Sequence, residues 1–168
     1  MGNTAPLASI VMPPSVQQKT NLARLINFRL AYCLAALVAF IGGVTIYVLF
    51  RSVDNMVLFW HVPQPSFLTA PHIRLGTDTV WGYLFVFNLL HGLWCLSALL
   101  VIRAVWLTDT KWRAIYGGIF IAVASILEIA QLSENFPGTF DRLDLASYGI
   151  AAFMESIMYK TFTKRRIV

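Results

Sequence analysis

The residues best suited to chemistry in this chain are carboxylates set within, or hard against, long apolar runs. Glu128 and Glu155 interrupt stretches that are otherwise nearly free of charge, and Asp141 and Asp144 open the last apolar stretch. A carboxylate inside a membrane span is expensive, so it is expected to face a protein interior, keep its proton or line a wet cavity. Gln131 lies one turn after Glu128 on the same helical face, and Tyr148 one turn after Asp144. The connection from Ser133 to Phe140 is short. The helices on either side should therefore be antiparallel neighbours, with Glu128, Gln131, Asp141, Asp144 and Tyr148 gathered at one end. Such a cluster could bind a polar headgroup or a sugar, hold a cation or shuttle a proton. Like charges this close are expected to raise at least one carboxyl pKa. Asp141 and Asp144 also have a purely structural use, as an N-cap and a first-turn acid that complement free amides and the helix dipole. Glu155 sits nearer the other end and is expected to reach towards Tyr159, Lys160 and the headgroups.

Other polar residues are fewer. Asn88 and His91 share one helical face in mid-run and are expected to meet a neighbouring helix, with proton or ligand handling as the alternative use. His61, His72 and His91 show no H-x-x-x-H spacing and there is no C-x-x-C, so no metal site is expected. Cys33 and Cys95 read as small packing residues. Ala35, Ala39 and Gly43 recur every four positions and predict a close-packed helix face. The sequence has no Gly-rich phosphate loop and no Ser-His-Asp set on one face. Neither an enzyme nor a bound cofactor is expected.

The elements that must carry these residues follow from composition. The 168 residues are 58% hydrophobic and 12% charged, against about 45–50% and about 25% in soluble domains. No charge falls between Arg29 and Arg51 or between Asp78 and Arg103, and about 20 apolar residues cross the hydrocarbon layer as a helix. The expectation is an all-α polytopic membrane protein, a single domain with four transmembrane helices at about residues 30–50, 79–102, 112–132 and 143–159, the last one short. Residues 1–26, with Pro6, Pro13 and Pro14, read as an irregular cytoplasmic lead-in, and Leu22, Leu25 and Ile26 as part of a short interfacial helix. The connection from Ser52 to Thr77 carries Val57-Leu58-Phe59-Trp60 and three prolines and is expected to lie at headgroup depth. Ten of the 13 Lys and Arg residues fall on the N-terminal segment, the second connection and the C-terminus, which places both termini in the cytoplasm. The net charge of +5 is then a topological signal, and nucleic-acid binding is not expected.

The stretch from Glu128 to Ala152 resembles the signature region of the VanZ-like family. Glu128-x-x-Gln131 ends one span, and Pro137, Phe140-Asp141, Asp144 and small residues open the next. The family pattern often has Asn where Tyr148 stands, Gly where Ala151 stands and a basic residue where Thr139 stands. These are small bacterial multi-span proteins, named for a member linked to teicoplanin resistance. The resemblance implies an envelope protein of the bacterial cytoplasmic membrane, with its polar cluster of Glu128, Gln131, Asp141 and Asp144 at the outer face. The alternative is an accessory subunit of a larger respiratory, photosynthetic or secretory membrane complex, with no chemistry of its own. The expected partners are the lipid bilayer and either other membrane subunits or further copies of the chain.

Overall fold

Pro14 occupies the first position of a helix, the one place where its missing N–H is harmless, and no later proline interrupts the run to Phe50. The computed structural model describes residues 14–50, 79–133, 136 and 140–161. Within them α1 spans Pro14–Phe50 as one continuous helix, so the irregular lead-in up to residue 26 and the separate interfacial helix give way to a single long rod. The residues before Pro14, the Ser52–Thr77 connection with His61 and His72, and the end of the chain lie outside the described residues. Three more helices follow: α2 at Val80–Val105, α3 at Thr110–Ala130 and α4 at Arg142–Tyr159.

Helices α1, α2 and α3 are each long and apolar enough to cross a membrane. The fourth expected span, α4, is not among them. Its 18 residues reach only about 27 Å, and Arg142, Asp144 and Glu155 lie within it.

Small residues let α1 lie close against α2. The buried positions of α1 are Tyr32, Ala36, Ala39, Gly43 and Ile46, alternating four and three apart, as a helix-to-helix seam requires. Ala35, placed on that face by its spacing, is half-buried, and Ala36 takes the central position. Tyr32 and Ala36 pack against Leu100, Ala104 and Leu107, whereas Tyr47 meets Trp94 and Phe50 meets Phe85, with ring centroids 5.8 and 5.7 Å apart. The two helices therefore run antiparallel. The Ser97 hydroxyl donates to the Ala36 carbonyl across the seam at 2.9 Å.

Helix α2 is the hub of the bundle, with α1 on one side and α4 on the other. Its first turns include a π-helical turn at Leu84–Asn88, a distortion often found at functional sites. Helices α3 and α4 start on acidic caps: Asp109 accepts from the amides of Lys111 and Trp112, and Asp141 from that of Leu143. Most side chains of α3 are exposed, Glu128 being its buried residue.

A Cβ on Gly43 would strike the indole of Trp94, whereas one on Gly42 would make ordinary contact with Leu93 at 3.6 Å. Trp94 is itself packed on Tyr47, so it cannot simply step aside. Gly43→Ala should lower stability by about 1–3 kcal/mol, read as the detergent-unfolding midpoint, and Gly42→Ala should leave that midpoint nearly unchanged.

Candidate functional site: an interhelical carboxylate cluster

The short α3–α4 connection makes the end of α3 and the start of α4 share one end of the bundle, and α2 completes it. Glu128 is 3% exposed. It accepts the Asp141 amide at 2.9 Å and the Gln131 side-chain amide at 3.1 Å. Asp141 accepts from the Tyr83 hydroxyl at 2.7 Å and from Asn88 Nδ2 at 3.4 Å, while its other oxygen caps α4 through the Leu143 amide at 2.8 Å. Asp144, 5% exposed, accepts from Asn88 Nδ2 at 2.9 Å and lies 3.0 Å from His91 Nδ1. The same His91 nitrogen is 3.0 Å from the Phe87 carbonyl. Both neighbours are acceptors, so Nδ1 carries the hydrogen.

Four of the residues picked out by type and spacing are thus brought together: Glu128, Gln131, Asp141 and Asp144. Asn88 and His91, read as a separate polar spot, belong to the same network. Tyr148 is buried one turn below Asp144, packed with Cys95, Leu99 and Ala151. Tyr83 was missed. Asn88 lies five positions further on, about 140° around an α-helix, but the π turn between them brings both onto Asp141.

Donors dominate the electrostatics at Asp141. Desolvation pushes its carboxyl pKa up, but hydrogen bonds from Tyr83, the Leu143 amide and Asn88, with the positive charge available to His91, outweigh it, and the pKa falls below its ordinary value. This reverses, at Asp141, the raised value expected from crowded carboxylates. Like-charge repulsion loses because each oxygen is aimed at a donor.

Two cavities flank the cluster. One of about 420 Å³ lies between α2 and α4, lined by Leu84, Leu93, Leu143, Ile150 and Met154, with Asn88 and Ser147 as its polar residues. Another of about 410 Å³ is lined by His91, Trp94, Cys95, Phe120 and Tyr148. Asn88 Oδ1 is buried and has no hydrogen-bond partner. The Ser147 hydroxyl is committed to the Asp144 carbonyl at 2.7 Å. Among the described residues no group of three or more His, Cys, Asp or Glu side chains is placed to hold a metal ion. The carboxylates face hydrogen-bond donors, Asp141 and Asp144 sharing Asn88 Nδ2.

Glu155 is not near this cluster, nor does it reach for the headgroups. It is 5% exposed and bonded to Arg103 Nε, with Arg113 Nη1 at 3.3 Å. Sequence reasoning counted both arginines as flanking charge. The available signal was Glu155 itself, since a lone acid on an otherwise apolar helix needs a cation from a neighbour. Comparison with family models, with curated proteins and with solved structures finds no match for this chain.

Because the folded Asp141 pKa is depressed, the stability its charge supplies is complete above the ordinary carboxylate value and is lost as pH falls through the lowered one. The unfolding midpoint in detergent should therefore drop as pH falls from the ordinary carboxylate range through the lowered Asp141 value. Tyr83→Phe removes the shortest side-chain donor to Asp141 and should shrink that drop. An equal drop in both proteins would mean that the Tyr83–Asp141 bond does not hold the charge.

Proposed function

We propose that this chain is an envelope protein of the VanZ-like kind, and that it binds a ligand instead of transforming one. It crosses a bacterial cytoplasmic membrane on four helices, α4 being the short one, with both termini in the cytoplasm. The cluster at the α3–α4 end takes a headgroup rich in hydrogen-bond donors, an ammonium or a hydroxylated group, and the cavity between α2 and α4 takes an acyl chain.

The observation that carries this reading is Asn88 Oδ1. A buried acceptor without a partner is rare and unfavourable. This one belongs to a residue that also touches Asp141 and Asp144 and lines the apolar cavity. A donor entering there would satisfy Asn88 and offset the carboxylate charge, with hydrocarbon continuing along Leu93, Ile150 and Met154. The orientation rests on the opposite end. There Tyr32 and Ala36 of α1 meet Leu100, Ala104 and Leu107, with Met158 of α4 packed against them, so Arg24 and Arg29 of α1, Arg103 of α2, Lys111 and Arg113 of α3 and Lys160 after α4 fall at one end, with Arg142 at the other. The second reading, an accessory subunit, draws on α3, most of whose side chains are exposed.

Native mass spectrometry from mixed micelles tests the ligand class. Phosphatidylethanolamine carries ammonium donors and phosphatidylcholine does not. The chain should retain the former in preference, and Asp144→Asn with Asp141→Asn should weaken that retention about tenfold, the loss of one charge-assisted bond. Equal retention of both lipids, or no change in the variant, would overturn the proposal. The same spectra report any co-migrating subunit, which the accessory reading requires.

A further inference from the structure

At the far end of α4 two guanidinium groups surround one carboxylate. Arg103 is 1% exposed and its Nε donates to Glu155 Oε1, while Arg113 donates through Nη1 to Glu155 Oε2 at 3.3 Å. The Tyr159 ring covers both cations, 3.9 Å from the Arg103 guanidinium carbon and 6.0 Å from that of Arg113. One carboxylate cannot neutralise two arginines, so the group keeps an excess positive charge in a desolvated place. It also keeps donors: Arg103 Nη1 and Arg113 Nε are buried and have no hydrogen-bond partner. Buried guanidinium donors are normally satisfied, and leaving a charged one bare is costly.

The surroundings indicate which anion would answer. Trp106, Trp112 and Tyr116 form a stack beside this end of α2 and α3, with Trp106 and Tyr116 5.4 Å apart and nearly parallel, and Lys111 approaches Trp112. Indole and phenol rings beside basic residues at the ends of apolar helices mark headgroup depth. The Arg113 side chain is 27% exposed, so the site opens on its side and closes on that of Arg103. Guanidinium forks suit tetrahedral phosphate oxygens, which accept several donors at once.

We propose that Arg103 and Arg113, held apart by Glu155, form a binding site for a phosphate group, supplied by an anionic phospholipid headgroup. The site shares no residue with the carboxylate cluster and does not depend on the function proposed for it. Free phosphate would satisfy the same donors, so the test must separate the two sources.

The full chain is placed in nanodiscs of phosphatidylcholine alone, or of equal parts phosphatidylcholine and phosphatidylglycerol, and separately in neutral detergent with added inorganic phosphate. Phosphatidylglycerol should be retained on release into the mass spectrometer, and Arg113→Gln should reduce that retention about tenfold, with Lys111→Gln unchanged. A rise in melting temperature with inorganic phosphate, absent in Arg113→Gln and unaccompanied by lipid retention, would uphold the phosphate site and assign it to the free ion. If Arg113→Gln does not fold, Arg113→Lys decides. It keeps the charge but loses the guanidinium fork, so phosphatidylglycerol retention should fall several-fold while the melting temperature in phosphatidylcholine alone stays near that of wild type. Equal retention in wild type and in the folded Arg113 variant, with no effect of inorganic phosphate, would overturn the proposal.

Discussion

A buried charge must be met by a partner, and α4 carries two of them. Asp144 and Glu155 are separated by about three helical turns, about 16 Å, and share a face with Ser147, Tyr148 and Ala151, all of them buried. On α2 their partners His91 and Arg103 are about 18 Å apart. The two spacings nearly match only when the helices run parallel and in one register. Sliding α4 by a turn would strand a carboxylate at one end and a guanidinium at the other, each at several kcal/mol. Apolar packing between these helices would tolerate such a slip far better. The register of α4 is therefore an electrostatic matter.

The seam between α1 and α2 works by a different device. It has no ion pair among the described residues. It relies instead on Ala36, Ala39 and Gly43 to let the backbones approach, and on Trp94 filling the space that Gly43 leaves. One side of α2 is thus fitted by shape and the other by charge. The charged side is polarised along its length, with acids, amides and His91 at one end and arginines at the other. In each place a polar atom is left over, an acceptor on Asn88 and donors on Arg103 and Arg113. The leftover groups are opposite in kind, so the two proposed sites call for opposite ligand chemistry.

Much of this could be read from residue order. The apolar runs marked α2, α3, α4 and the end of α1 to within a few residues, because charges bound them. The α3–α4 end was readable because a short connection forces its flanks together. Four things were not. The start of α1 at Pro14 was hidden because proline at a first helical position looks the same in sequence as proline in a loop. Tyr83 was hidden by a π turn, which periodicity assumes away. Arg103 ended a charge-free run and so passed for a flanking residue, although it lies in the last turn of α2 and faces inward. The pairing of Glu155 could not be chosen from order alone, since Arg103, Arg113, Tyr159 and Lys160 all lay within reach of the same end.

The central claim is that the buried Arg103–Glu155 pair holds α4 in register on α2. A double-mutant cycle on detergent unfolding tests it most directly. Glu155→Met alone should cost about 3–5 kcal/mol by leaving Arg103 buried without its carboxylate, and adding Arg103→Met should recover most of that loss. A double variant that loses the sum of the two single losses would contradict the account, because it would mean that the two side chains act independently of each other.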